Sequence, residues 1–236
     1  MTIGIITCNY GRTQVLKIFC EGIRRLREET GLDIPVVCVG GLDGYHVCSQ
    51  YGIQHIMWQN KPLTTKFNIA CEELFGEVDY AMILGSDNVI STRSFLRIKE
   101  EAEKGTDLIG LSEVYMFAMD GDYKGRLYHF THTKVLGVGR TISARVLDKV
   151  GWRPWNIERS RAIDVIMLDN VRPHVKTSSL LTGEFVVDLK TKHNLNPIDF
   201  WSKKLPERDI NLMWSNVGME ERKLIEQYLN ENKWQI

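Results

Sequence analysis

A chain of 236 residues whose thirty basic and thirty acidic side chains cancel has no global field to draw it onto a nucleic-acid backbone or an anionic membrane, although a local basic cleft is compatible with that balance. The length suits one substantial core, and no apolar run is as long as a membrane-spanning helix. The first nine residues lack both a basic segment and a small-residue cleavage site, so a cytoplasmic location is expected. Five cysteines, Cys8, Cys20, Cys38, Cys48 and Cys71, are odd in number and show no C-x-x-C spacing, which argues for reduced, mostly buried thiols over a disulfide framework or a structural zinc site.

Residues 3–8 are rich in β-branched side chains and predict a strand. Val15, Leu16, Phe19, Ile23 and Leu26 then recur at helical spacing and stop at Gly31. Strands are expected over 34–39 and 53–58, with a short helix over 45–51 between them. Thr64 or Thr65 is expected to cap a helix that turns Phe67, Ala70, Cys71 and Leu74 inward and ends at Gly76. Residues 80–84 are apolar without a break, the mark of a strand buried on both faces at the centre of a parallel sheet. A helix from Thr92 and a strand over 108–111 complete five β units with intervening helices.

Beyond them, 114–119 and 126–132 flank Asp120, Gly121, Asp122 and Gly125 and predict an antiparallel hairpin. Short helices are expected over 143–150 and 159–170, strands over 175–181 and 185–189, and an amphipathic helix over 220–229. Residues 194–216 read as irregular.

In open α/β sheets ligands sit beyond the carboxyl ends of the strands, so the residues that follow strands are the first candidates for a site. These are Thr7, Cys8, Asn9, Tyr10, Gly11 and Arg12, then Gly41, Leu42 and Asp43, then Gly85, Ser86, Asp87 and Asn88, with Lys66 and Asn68 opening the helix before the most apolar strand. Asp87 leads them. A carboxylate at the mouth of a buried strand can hold a divalent cation against a diphosphate, since magnesium or manganese takes one or two carboxylates plus phosphate oxygens. The plainer alternative is an aspartate that caps the next helix or shapes a turn.

In their order and spacing, Thr7, Asn9 and Arg12, then Lys66 and Asn68, then the run from Ile83 through Asp87 to Asn88 resemble the GT-A glycosyltransferases, particularly the family 2-like group. The resemblance spans roughly residues 2–195. It implies a Rossmann-like, mostly parallel α/β sheet flanked by helices with an antiparallel acceptor-side extension from about residue 114, and leaves 196–236 as a C-terminal irregular segment and helix. It also implies that Thr7, Asn9 and Arg12 contact the nucleotide base and ribose, and that Tyr10, Asp43, Lys66, Asn68 and Ser86 belong to the same donor-binding set.

The family's metal site is an Asp-x-Asp after the hydrophobic strand. Here Gly85 replaces the first acid and Asp87 keeps the last, in a Gly-Ser-Asp-Asn variant. His193, just past a strand end, corresponds to a further metal ligand and tilts the metal toward manganese over magnesium. Lys190 and Lys192 either neutralise the leaving diphosphate or are solvated surface lysines.

Residues 137–143, then Val150, Gly151 and Trp152, are similar to the acceptor-side stretch that precedes the general base. That base is assigned to Asp164, with Glu158 and Asp169 as substitutes. Trp152 and Trp155 are candidates to stack on an acceptor ring, or to be core residues.

The expected activity is divalent-metal-assisted, inverting transfer of a sugar from a nucleotide-diphosphate sugar, a UDP-sugar favoured, to a hydroxyl on a glycan, protein, small molecule or modified DNA base. A sugar nucleotidyltransferase is the enzymatic alternative, but residues 8–12 do not supply its Gly-rich basic loop. A third reading, suggested by Gly85, is a nucleotide-sugar-binding module that has lost catalysis.

Overall fold

The computed structural model describes residues 1–195 and 198–231. β1 (Ile3–Asn9) is buried at every position and leads into α1 (Thr13–Thr30), whose stripe of Val15, Leu16, Phe19, Ile23 and Leu26 lies on the core. Gly31 closes α1 in the left-handed region at φ 65°, donating its N–H to the Arg27 carbonyl. β2 (Val36–Gly40), α2 (Leu42–Gln50), β3 (Gln54–Met57), α3 (Leu63–Glu72) and β4 (Tyr80–Ile83) follow. Then come β5 (Asn88–Ile90), α4 (Thr92–Glu103), β6 (Leu108–Leu111), β7 (Glu113–Ala118) and β8 (Leu127–Thr131). The chain continues through β9 (Thr141–Ser143), α5 (Ala144–Lys149), α6 (Ile163–Val171), β10 (Ser178–Leu181) and β11 (Val186–Lys190). The C-terminal part holds α7 (Ile198–Ser202), β12 (Glu207–Arg208), α8 (Ile210–Trp214) and α9 (Met219–Glu231).

The strands form two sheets, ordered β10-β6-β9-β4-β1-β2-β3 and β12-β8-β7-β11-β5. The first is parallel except for β9, which runs antiparallel between β4 and β6. This is the expected α/β architecture, a mostly parallel sheet flanked by helices. β4 lies inside it, and the period of a strand sends Tyr80 and Met82 to the face covered by Phe19 and Phe95, and Ala81 and Ile83 to the face covered by Phe67, Cys71 and Trp155. Two covered faces explain the unbroken apolar run, each fully buried side chain contributing about 1.5–3 kcal/mol. A third cluster joins Val15 and Ile18 of α1, Val187 and Leu189 of β11, Met213 and Ile225, so α8 and α9 pack onto the same body. All five cysteines are free and buried, and among the described residues no helix is long and apolar enough to cross a membrane.

Two expectations are corrected by contacts between distant residues, and a third by local structure. α3 is not capped by Thr64 or Thr65. It opens at Leu63, and its first amides are taken by a loop almost a hundred residues away: Leu63 donates to Ser160 Oγ at 3.1 Å and Thr64 to the Arg159 carbonyl at 2.9 Å. The helix expected over 159–170 therefore begins only at Ile163, since residues 159–160 are engaged with α3. Residues expected to be irregular carry α7, β12 and α8, the last capped by Asp209 accepting from Asn211 N. β5 and β9, of three residues each, are too short to show a period.

Asp107 ties three of these segments together. Its carboxylate accepts from the Lys176 and Thr177 amides at 2.8 and 3.1 Å, from Ser143 Oγ, and from Arg145. Burial pushes this carboxyl up, but Arg145 and the two amides outweigh burial and hold it at about 2. A carboxyl lowered from an ordinary 3.8 stabilises the fold above that value and loses the contribution as pH falls toward 2. Asp107→Asn should cost roughly 1–2 kcal/mol at neutral pH, discounted because Arg145 is open to solvent. Urea unfolding of both proteins across acid pH should show that gap shrink below about pH 4; a gap that stays constant down to pH 2 contradicts the assignment.

Candidate functional site

A cavity of about 370 Å³ opens at the carboxyl ends of β1 and β4. Its wall takes Asn9, Tyr10 and Arg12 from the exit of β1, Lys66 from α3, Ser86 and Asp87 from the exit of β4, Asp164 from α6, and His193. Asp188 and Lys190 of β11 and Asn194 complete its polar side. The crossing from the first sheet to the second brings these residues together. The chain leaves β4 at Ile83, turns through Gly85, Ser86 and Asp87, and enters the second sheet as β5. Asn88 Oδ1 accepts from the Gly85 amide at 2.6 Å, and the Asp87 carbonyl accepts from the Leu189 amide at 2.8 Å, which fixes the turn on β11. A side chain at Gly85 would need its neighbours to shift: a Cβ there would lie 2.5 Å from Asp87 Oδ1 and 2.9 Å from Asn88 Oδ1.

Arg12 Nη1 donates to Asp87 Oδ2 at 2.8 Å and to Asn194 Oδ1 at 3.1 Å, while Asn194 Nδ2 donates to the same Asp87 oxygen at 2.7 Å. Burial alone would raise the Asp87 carboxyl, but the charges of Arg12 and Lys190 win and hold it below the usual carboxylate range. At Asp188 burial prevails over the Lys190 ammonium 2.5 Å away, helped by the Asp87 charge, and the carboxyl rises to about 6. Lys66 is 2% exposed and, among the described residues, has neither a hydrogen-bond acceptor nor an ion-pair partner. Burial lowers its ammonium below the usual lysine range, and Arg12 pushes the same way. Asn9 Oδ1, Ser86 Oγ and Asp188 Oδ1 are buried on the same wall without partners. Buried polar atoms are normally paired, so their concentration around one cavity points to a polar ligand.

Other sequence candidates support this wall from behind. Thr7 is fully buried within β1 and does not line the cavity. Asp43 accepts from the Gly11 amide at 2.8 Å and pins the β1–α1 loop. Asn68 clamps the Trp155 backbone, donating to its carbonyl at 2.7 Å and accepting from its amide at 3.1 Å. Trp152 leaves no open face for an acceptor ring. Trp152 is 3% exposed, donates Nε1 to Asp148, and meets Phe75 edge-on, so the acceptor-stacking expectation is corrected to a core role. Trp155, equally buried, stacks on Phe67 and lines the cavity from within the core.

Asp164 stands in the first turn of α6 against Gly137, where a Cβ would fall 2.0 Å from its Oδ1. Glu158 and Asp169 do not line this cavity. Two residues not assigned from the sequence also matter. Asp188 supplies a second carboxylate beside Asp87. Arg140, 1% exposed, props the approach to α6 by donating to the Asp164 carbonyl at 3.0 Å and the Val135 carbonyl at 3.1 Å. Burial pulls the Arg140 guanidinium down to about 10.

Among the described residues no group of three or more His, Cys, Asp or Glu side chains is placed to hold an ion. Asp87 is engaged through Oδ2 by Arg12 and Asn194 and Asp188 through Oδ2 by Lys190, while Asp188 Oδ1 has no partner and His193 is exposed.

No family model matches the chain, and no curated protein matches it by sequence. In fold it is similar to S. aureus TarS. A structure of residues 1–349 of that protein aligns with a TM-score of 0.58 at 14% identity, over 98% of this chain and 70% of that one. A longer TarS structure gives 0.60 at 12% identity, again over 98% of this chain but 42% of that one. The bifunctional IspDF from Campylobacter jejuni aligns with a TM-score of 0.52 at 12% identity, over 87% of this chain and 55% of that one. Identities this low carry fold alone, and the fold is GT-A-like, an architecture common to glycosyltransferases and nucleotidyltransferases.

Proposed function

We propose that the cavity binds a nucleotide-diphosphate sugar and that the protein is a glycosyltransferase that passes the sugar to a hydroxyl acceptor. The observation that carries this reading is Lys66, a largely buried lysine without a counter-ion that lines the cavity beside the Arg12 guanidinium, at the carboxyl ends of β1 and β4. An unpaired buried charge is strongly unfavourable, and an anionic ligand removes the penalty. A diphosphate at the crevice beyond the strand ends is the ligand that such a fold commonly places there.

In the reaction, the acceptor oxygen bonds to the anomeric carbon as the bond from that carbon to the diphosphate oxygen breaks. The electron pair leaves with the nucleoside diphosphate, and the hydroxyl proton passes to the Asp164 carboxylate. A carboxylate positioned for that proton contributes about 10²–10⁴ in rate. Gly137 gives Asp164 the room to stand on the cavity wall. Attack on the face opposite the leaving group makes the transfer inverting.

A panel of nucleotide sugars should yield nucleoside diphosphate as product. Release of pyrophosphate identifies a nucleotidyltransferase instead, and calorimetric binding with no turnover identifies a binding module. Asp164→Asn should slow transfer by about 10²-fold or more and leave donor affinity unchanged; equal losses in rate and affinity remove Asp164 from the chemistry. Gly137→Ala, which drives a methyl group into the Asp164 carboxylate, should reproduce that kinetic split with the thermal midpoint nearly unchanged. A variant with wild-type kinetics contradicts the proposed placement of the base.

A further inference from the structure

Resting on that reading, we infer that the diphosphate is held by side-chain cations, Lys66 together with Arg12 and Lys190, and that its binding does not require a divalent metal. The carboxylates at the exit of β4 are each tied to a cation through one oxygen, which lowers the negative charge they could offer a metal. Asp87 Oδ2 already receives Arg12 Nη1 at 2.8 Å and Asn194 Nδ2 at 2.7 Å. The place of the family's first acid is Gly85, and the space its side chain would need holds Asp87 Oδ1 and Asn88 Oδ1. An acid there would have to shift the Asp87 and Asn88 side chains from their present positions. The Asn88 side-chain oxygen accepts from the Gly85 amide, and Asp188 accompanies Lys190.

The cations are placed differently. Arg12, Lys61, Lys66 and Lys190 line the cavity against Asp87, Asp164 and Asp188, and the two close ion pairs use Arg12 and Lys190. Lys66 remains, buried and unmatched. Arg12 also has donors in reserve. Only its Nη1 has partners among the described residues, so Nε and Nη2 remain for a phosphate, which a guanidinium fork can bind in bidentate fashion. A doubly anionic diphosphate thereby meets an ammonium and the unused edge of a guanidinium that Asp87 and Asn194 hold in place. The departing nucleoside diphosphate would be stabilised by the same groups, fixed before the reaction begins.

Calorimetry on the full chain tests this with UDP, GDP, CDP, ADP and dTDP, each in excess EDTA and again with manganese. The expected result is binding of at least one diphosphate in EDTA, with manganese improving its dissociation constant by less than about threefold. In EDTA, Lys66→Met should weaken that binding by about tenfold or more. It should also raise the thermal midpoint of the free protein, because the unmatched buried charge is gone while the side-chain volume stays; a purely structural lysine would lower it. Binding seen only with manganese, or improved by it more than about threefold, overturns the inference and leaves the proposed activity standing. Unchanged affinity in the Lys66 variant overturns it as well. If none of the five diphosphates binds under either condition, the proposed function falls and this inference with it.

Discussion

The ion pair between Arg12 and Asp87 limits what every other charge in the cavity can do. With Nη1 and Oδ2 2.8 Å apart and Asn194 bridging both groups, one oxygen of the strand-end carboxylate is used within the protein. Asp188, the other carboxylate of this wall, lies against Lys190. Lys66 is then left to be satisfied from outside the chain. The backbone makes this arrangement rigid, because Asp87 lies where the chain passes from one sheet to the other and its carbonyl is fixed by Leu189 of β11. A charged group mounted on the junction of two sheets has little freedom to rearrange, which is what a preorganised binding site requires.

Such an arrangement lowers stability, and the surroundings show where the compensation lies. Desolvated charges at Lys66, Asp188 and Arg140 and the unpaired oxygens of Asn9 and Ser86 all oppose folding. The first sheet, covered on both faces by α1, α3 and α4, supplies apolar burial immediately beneath them, and α8 and α9 extend that burial under the second sheet through Met213 and Ile225. Frustration concentrated at one cavity, over a core that is locally consistent, marks a site kept for binding at the expense of stability.

What could be read from the sequence follows the distance over which each feature is determined. α1 and β4 were legible because their apolar spacing reports their own burial, and Asn9, Arg12, Lys66 and Asp87 were legible as candidates because a strand end can be located from the run that precedes it. The start of α3 was not, since its amides are satisfied by Arg159 and Ser160, and no local pattern encodes that pairing. Asp188 lies inside a strand between Val187 and Leu189, where an acid among apolar neighbours was the available signal that one face of β11 meets something polar. Trp152 went the other way. Nothing in a tryptophan's sequence position says whether its ring faces a ligand or Phe75.

The two chemistries compatible with this fold differ in what they ask of the attacking group, and Asp164 responds to that difference. In nucleotidyl transfer the attacking oxygen belongs to a phosphate and is already an anion at neutral pH. It has no proton to lose, and a carboxylate on the cavity wall would repel it. A hydroxyl acceptor has a proton that must go somewhere as the new bond forms. The first turn of α6 carries an aspartate to the cavity, the residue it faces is a glycine with no side chain to exclude it, and a buried arginine steadies the backbone at that aspartate. Under the proposed function, these features would serve a neutral hydroxyl acceptor.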